Sequence, residues 1–321
     1  MSGDPSEECA VSGDPSEECA VSGDPSAGTP PNPFAVPRLF VETDPLNPLR
    51  HEEHLDYYVA VDHTEESFQD FQKRFQDVAD LLHEGRLVLV SGEKGCGKTT
   101  LINRCAHWLR GRIEADRQDV EVVDLTREAQ DSDTIPVRRS NVSRALVDNL
   151  HALTLLKSDL VYETRDDADS TYRNLPTCLA AGQWLIVLLP RAELAEELRY
   201  YAVRAPKRMV FFAETTPEVG TQHAPGRTIR LQVDAFEHEH ATLFATDRLR
   251  RLPTGTLPPL APTALDEFLQ DNRKTTIGEI QRLLFGVYET LRVQEDRPDE
   301  VTWNHLARHF ISVSRRLREQ P

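Results

Sequence analysis

Short apolar runs alternate along the middle of the chain with stretches in which apolar residues recur every three or four positions. Runs of this length predict buried strands, and the longer periodic stretches predict helices. The predicted strands are residues 87–90, 120–125, 184–189, 208–214 and 228–233, and the predicted helices between them are residues 64–82, 98–109, 141–156 and a stretch from Arg191 onward. This alternation is typical of a mostly parallel five-stranded sheet covered by helices on both faces, a three-layer α/β/α domain over residues 64–235.

The pattern changes after residue 235, where strand-like runs stop. Four helical stretches follow, at residues 235–252, 263–270, 276–293 and 302–317. In the third, Thr276 and Glu279 have the spacing of a capping box, which predicts that the helix starts there. The sequence therefore predicts a C-terminal α-helical domain over residues 236–321.

The first 63 residues have a different character. Residues 2–26 repeat a ten-residue acidic unit, SGDPSEECAV, that is too poor in apolar side chains to offset the entropy of ordering. We predict a disordered acidic tail over residues 1–32. The proline-rich residues 33–63 predict an extended lead-in, which we expect to lie across the domain through Phe34, Leu39 and Phe40.

The first predicted strand runs directly into a glycine-rich loop, in the sequence LVLVSGEKGCGKTTLI. A strand, the spacing G-x-x-x-x-G-K-T and a helix together define a phosphate-binding P-loop. The expected binding residues are Gly92, Glu93, Lys94, Gly95, Cys96, Gly97, Lys98, Thr99 and Thr100. Backbone N–H groups would cradle phosphates, Lys98 would reach the β and γ phosphates, and Thr99 would ligate Mg²⁺. The expected cofactors are ATP, with GTP as the alternative, and Mg²⁺.

Composition narrows the classes of partner. The formal net charge of −16 argues against a broad surface for nucleic-acid phosphates or anionic membranes. No apolar run approaches the ~20 residues of a membrane span, and the N-terminus lacks the features of a secretion signal. The five cysteines are odd in number and have no C-x-x-C spacing, so we expect reduced thiols. These features predict a cytoplasmic protein, and the excess of Arg over Lys is compatible with a bacterial source.

The order of phosphate loop, five strands and helical lid resembles the AAA+ and STAND class of P-loop ATPases, and within it the module of origin-recognition initiators. This resemblance implies an acidic pair at the end of the third strand, which positions Mg²⁺ and activates water. It also implies a polar residue at the end of the fourth strand that senses the γ-phosphate, and an arginine on a lid helix that contacts the nucleotide.

Carried onto this sequence, the resemblance fits in part. Thr215, at the end of the fourth strand, takes the sensing position, and Arg282 is the candidate for the lid arginine, although Gln281 stands where arginine is expected. Leu189, Pro190 and Arg191 occupy the region of the acidic pair. The resemblance therefore implies an intact phosphate loop with a degenerate acidic motif.

Two other carboxylates are candidates to replace the acidic pair that is absent from the end of the third strand. Glu193 is the candidate catalytic base, but Pro190 also suits the first position of a helix whose N-terminus Glu193 would stabilise. Asp124 ends the second strand and would lie near the phosphate loop only in a kinase-like strand order. We therefore predict an ATP-dependent switch with weak or absent hydrolysis.

Alternative functions are a DNA-associated ATPase regulator or loader and, third, a small-molecule kinase. Expected partners are the nucleotide and a protein, or a second copy of the chain that meets the nucleotide domain. Several arginines are candidates for an arginine finger, namely Arg204, Arg208, Arg250, Arg251, Arg315 and Arg316.

Overall fold

The computed structural model describes residues 29–61, 63–130, 132–220, 227–233, 238–253, 256–271 and 275–319. The acidic repeat, and with it most of the predicted disordered tail, lies outside the described residues. The end of the tail from residue 29, the lead-in, the sheet domain and the lid helices lie largely within them.

Five parallel strands form one sheet, as the sequence predicts. The strands are Arg86–Ser91 (β1), Asp119–Asp124 (β2), Gln183–Leu188 (β3), Met209–Thr215 (β4) and Thr228–Gln232 (β5). Their order is β2-β3-β4-β1-β5. β1 therefore lies between β4 and β5, and β2 forms one edge of the sheet.

Helices cover both faces of the sheet. They are Thr64–Arg74 (α1), Lys98–Ala115 (α2), Ile135–Ala152 (α3), Leu160–Glu163 (α4), Ala168–Cys178 (α5), Ala195–Arg204 (α6) and Pro217–Gly220 (α7). Side chains along each strand alternate between two apolar clusters. Val210 and Phe212 of β4 face the cluster that contains α1 and α2, whereas Phe211 and Ala213 face the cluster that contains α3, α5 and α6. This three-layer arrangement confirms the predicted fold class.

The helical region at the C-terminus consists of His238–Arg250 (α8), Ala264–Asp271 (α9), Ile277–Arg292 (α10) and Trp303–Glu319 (α11). The predicted capping box is confirmed, because the Thr276 side chain accepts from the Glu279 N–H and the Glu279 side chain accepts from the Thr276 N–H. α10 therefore begins at a fixed point.

The lead-in crosses the molecule as a series of turns, with a short 3₁₀ helix at Glu52–Tyr57. Phe34 is fully buried in the apolar cluster of the lid, where it packs against Phe244 and Tyr288. Phe40, by contrast, is fully exposed. The prediction that Phe34 anchors the lead-in is confirmed, and the same prediction for Phe40 is wrong.

The observed helices differ from the predicted ones in several places. The helix predicted over residues 141–156 begins at Ile135 and ends at Ala152 (α3). The helix predicted over residues 64–82 is divided into α1 and a 3₁₀ turn at Ala79–Leu82. The helix after β3 begins at Ala195, so Arg191 and Glu193 lie in the loop before it, and Glu193 is not in a helical first turn. α5 was not predicted: it contains Pro176 and few apolar residues, and its N-terminus is fixed by the Asp167 side chain.

A buried ion pair joins α3 to α6 behind the loop that follows β3. Nε of Arg138 lies 3.1 and 3.0 Å from the two carboxylate oxygens of Glu197, and both side chains are at least nine-tenths buried. Arg138 also donates to the backbone carbonyls of Gln130 and Arg191. Burial raises the pKa of Glu197, while the Arg138 guanidinium acts in the opposite direction. The pair thus fixes the loop that begins at residue 189.

We expect Arg138→Met to lower the free energy of unfolding by about 3–5 kcal/mol, because it leaves the Glu197 carboxylate buried without its hydrogen-bonded cation. Arg144→Met is the matched control, since the Arg144–Asp166 pair is exposed and such pairs contribute about 0–1 kcal/mol. Urea unfolding followed by circular dichroism measures both. Equal losses in the two variants would contradict this account of the pair.

Candidate nucleotide-binding site

The predicted P-loop connects β1 to α2 and includes two glycines with left-handed backbone angles. Gly95 and Gly97 have φ values of 86° and 90°, in the left-handed region that favours glycine. The ammonium of Lys98 donates to the carbonyls of Gly92 and Glu93, at 2.8 and 2.7 Å. Lys98 is buried by these contacts at the start of α2, where the helix dipole adds partial positive charge.

A cavity of about 1140 Å³ lies over this loop. Its walls come from the lead-in, the P-loop with the starts of α1 and α2, the loop after β3, the end of β4, and the region of α8 and α10. All predicted loop residues from Glu93 to Thr100 line the cavity. A nucleotide-sized space thus adjoins the predicted phosphate cradle.

Glu214 is the carboxylate that meets the P-loop. Its Oε2 accepts a hydrogen bond of 2.8 Å from the Thr99 hydroxyl, the group expected to ligate Mg²⁺. The contact follows from the strand pairing, in which Glu214 lies beside Val90 of β1. Strand alternation places Glu214 on the same face as Phe212, and therefore on the side of α2.

Thr215 points to the opposite side of the sheet. It is fully buried, and its hydroxyl donates to the Ala192 carbonyl at 2.7 Å. It does not line the cavity, whereas Glu214 does. The alternation of side chains along β4 was the available signal for choosing between these neighbours, and it favours Glu214 as the group that faces the phosphates.

The loop after β3 places a cationic side chain, Arg191, on the cavity wall. Leu189 and Pro190 are buried, and Leu189 packs in the cluster that contains α3, α5 and α6. Arg191 lines the cavity and pairs with the Glu193 carboxylate at 3.0 Å. Glu193 itself is exposed and lies outside the cavity lining. This arrangement does not favour Glu193 as a base that acts on a bound phosphate.

Asp124 ends β2 at the edge of the sheet, and β3 and β4 separate it from β1. It accepts hydrogen bonds from Arg50 and from Thr126. The small-molecule kinase alternative required Asp124 beside Lys98, and the strand order does not meet that requirement.

The lid contacts the P-loop directly. The Gly278 N–H, in the first turn of α10, donates to the Gly95 carbonyl at 3.1 Å. A Cβ at Gly95 would lie 2.7 Å from the Thr276 hydroxyl, so glycine is required there for the close approach as well as for its φ. The capping box of α10 therefore lies against the phosphate loop.

Arg282 and Gln281 both line the cavity from α10. The Arg282 side chain is more than half exposed and lies 3.7 Å from the Glu42 carboxylate of the lead-in. The Gln281 side chain donates to the Phe34 carbonyl at 2.6 Å. Gln281 thus holds the lead-in, whereas the Arg282 side chain lines the cavity and is the more exposed of the two.

Tyr58 and Arg248 are among the lining residues outside the P-loop that were not predicted. The Tyr58 hydroxyl donates to the Thr100 carbonyl at 3.1 Å, and burial raises its pKa. Arg248 of α8 donates to the Tyr57 carbonyl at 2.9 Å and packs over the rings of Tyr57 and Phe244. Burial lowers the pKa of Arg248 to about 10, which leaves it charged at neutral pH. No motif marks these contacts in the sequence, because they join distant segments.

The described residues contain no group of three or more His, Cys, Asp or Glu side chains arranged to hold a metal ion. A P-loop site does not require one, because phosphate oxygens and water complete the coordination of Mg²⁺. The Thr99 hydroxyl and the neighbouring Glu214 carboxylate are oxygen donors of the kind that Mg²⁺ prefers. The residues present therefore fit the expected cofactor.

No family model and no curated protein matches the sequence. Among solved structures, the chain is similar to the ORC1 protein of Aeropyrum pernix in complex with DNA, with a TM-score of 0.51 and 16% identity over 81% of this chain and 69% of that one. The ORC2 protein of the same organism, solved as ADPNP–ADP complexes, gives 0.45 and 17% over 77% and 66%. The RuvB Holliday junction branch migration motor of Thermotoga maritima gives 0.41 and 14% over 78% and 68%.

The sheet order, the P-loop and the helical region after the sheet define a P-loop α/β module of the AAA+ fold. The chain spans about two thirds of the length of the solved structures named above. Among the described residues, no helix is both long and apolar enough to cross a bilayer.

The exposed position of Glu193 generates a prediction about turnover. We expect the wild-type chain to release phosphate from ATP slowly, and Glu193→Gln to change that rate little, because the carboxylate lies outside the cavity lining. Steady-state phosphate release measures both, with Lys98→Ala as the control for a contaminating ATPase. Fast wild-type turnover that falls ~10²-fold or more in Glu193→Gln would instead identify Glu193 as a general base.

Proposed function

We propose that this protein is a nucleotide-dependent switch that binds ATP with Mg²⁺ between the sheet domain and the lid, and hydrolyses it weakly or not at all. The observation that carries the proposal is the direct contact between α10 and the P-loop at Gly95. A phosphate that moves this loop also moves the first turn of the lid helix. A bacterial cytoplasmic setting, and a place in the STAND branch of the class, stay predictions.

The proposed position of the nucleotide follows from the cavity. Its phosphates would lie on the N–H groups between Gly95 and Thr99, where the start of α2 favours negative charge. The Lys98 ammonium would exchange its two carbonyl acceptors for phosphate oxygens. Mg²⁺ would be held at the Thr99 hydroxyl, and its charge would offset that of the β and γ phosphates.

The switch requires the nucleotide to bind two lid positions with different affinity. Gly278 and Thr276 hold α10 against the loop, and Arg282 lines the same cavity with a largely exposed side chain. We propose that Arg282 contacts the phosphates, and that Arg191, which lines the same cavity, is a second cation near them. A protein partner, or another copy of the chain, would bind preferentially to one of the two lid positions.

Weak hydrolysis is proposed because the end of β3 presents buried Leu189 and Pro190 where a metal-positioning and water-activating pair would be expected. Loss of a general base alone typically slows a reaction by ~10²–10⁴-fold. The phosphate cradle does not depend on that pair, so binding would persist. We also propose that Thr215 influences the nucleotide site, because its hydroxyl donates a hydrogen bond to the Ala192 carbonyl in the loop after β3.

Calorimetry with ATP and Mg²⁺ tests the proposal. We expect saturable one-to-one binding by the wild-type chain and its loss in Lys98→Ala, because a buried ammonium beside the phosphates would be removed. Lys73→Ala, an exposed lysine on α1, is the matched control and should bind as the wild type does. Parallel titrations with GTP decide the base preference. Equal, unsaturable signals from all three proteins would contradict the proposal.

DNA association is the second candidate function. The favourable observation is local: α11 carries four exposed arginines, Arg308, Arg315, Arg316 and Arg318, in a chain of net charge −16. The fold is also similar to that of an ORC1 protein solved with DNA.

If α11 binds DNA phosphates, gel-shift affinity should fall steeply with salt, with a slope that decreases when Arg315 and Arg316 are changed to Gln. The Arg110→Gln variant, on the exposed side of α2, is the control for a general change in charge. No shift at low salt would remove DNA as a candidate.

A further inference from the structure

Glu214 is the cavity carboxylate nearest to the expected metal position. The bond of 2.8 Å between its Oε2 and the Thr99 hydroxyl places it beside the group that would ligate Mg²⁺. A threonine hydroxyl can give a lone pair to a metal while its proton stays in a hydrogen bond to a carboxylate. The pair is therefore compatible with a metal ion between the P-loop and β4.

The position of Glu214 is set by the backbone. Its residue pairs with Val90 in the parallel ladder between β4 and β1, and its own carbonyl accepts from the Ala192 N–H at 3.1 Å. Both contacts hold the end of β4 next to the start of the P-loop. The carboxylate thus approaches Thr99 from a rigid strand.

The other carboxylates on the cavity wall have different roles. Glu42 lies near Arg282, Asp44 accepts from a lead-in N–H, and Glu279 closes the capping box of α10. Glu93 belongs to the P-loop itself, where its carbonyl accepts from Lys98. Only Glu214, among the described lining residues, has a hydrogen bond to Thr99.

We propose that Glu214 of β4 supplies the protein carboxylate for Mg²⁺, in the role that the end of β3 cannot fill in this chain. Mg²⁺ in nucleotide sites is commonly held by one or two carboxylates together with substrate phosphates. The metal-binding carboxylate would thus lie on β4 instead of on the neighbouring strand β3. The loop after β3 would contribute the positive charge of Arg191 to the cavity. This inference rests on the proposed nucleotide site.

The negative charge of Glu214 should affect ATP affinity differently with and without Mg²⁺. Without a divalent cation, its carboxylate repels the triphosphate, so it weakens ATP binding. With Mg²⁺ between them, the same carboxylate strengthens binding. Glu214→Gln keeps the size of the side chain and an oxygen that accepts from Thr99, but removes the charge. The substitution should therefore act in opposite directions with and without Mg²⁺.

The experiment is a calorimetric titration of ATP into wild type and Glu214→Gln, each in EDTA and in excess Mg²⁺. In EDTA, Glu214→Gln should bind ATP as tightly as wild type or more tightly. The gain in affinity that Mg²⁺ gives should be smaller in the variant by about tenfold or more, the scale typical for loss of a group that supports a metal site. Glu196→Gln, an exposed carboxylate on α6, is the control and should retain the wild-type gain.

The outcomes separate the two proposals. Wild type that binds ATP, with an equal Mg²⁺ gain in Glu214→Gln, overturns the role of Glu214 and leaves the switch proposal standing. Wild type that does not bind ATP overturns both. Circular dichroism checks the fold of the variant, and Glu214→Ala is read in the same way if Glu214→Gln does not fold. A purely structural role would weaken binding equally in EDTA and in Mg²⁺, which would also overturn the proposal.

Discussion

The parallel pairing of β1 with β4 is the constraint on which the site depends. The P-loop begins where β1 ends, so the residues that meet it are those at the carboxyl end of the adjacent strand. The order β2-β3-β4-β1-β5 gives that position to Glu214 and excludes Asp124, whose strand lies at the edge. A change in strand order alone would assign the same P-loop a different carboxylate and a different chemistry.

Much of the fold could be predicted because its signals are local. The strands are short apolar runs, the P-loop has a fixed spacing of glycines, and Thr276 with Glu279 marks the start of α10. α5 was missed because its few apolar residues and Pro176 give a weak helical pattern. Its N-terminus depends instead on a single side chain, Asp167.

The site could be predicted only in part. The P-loop residues follow from their motif, whereas the contact between Glu214 and Thr99 depends on which strands are neighbours and on which face of β4 each side chain occupies. Period-two alternation would have assigned Glu214 and Thr215 to opposite faces, and the neighbouring residues Phe211 and Phe212 show the same division. The contacts of Tyr58 and Arg248 join distant segments, for which a single sequence gives no local signal.

The burial of Phe34 has a consequence for the way the chain is divided into units. The apolar cluster of the lid includes Phe34 and Val61, and the Asn32 side chain donates to the Phe285 carbonyl of α10, so the lid is assembled from two separate segments of the chain. The sheet domain lies between these two contributions in the sequence. The lid is therefore a discontinuous unit whose interior is complete only after α8 to α11 have been synthesised. A shortened protein that begins at α1 would lack part of that interior.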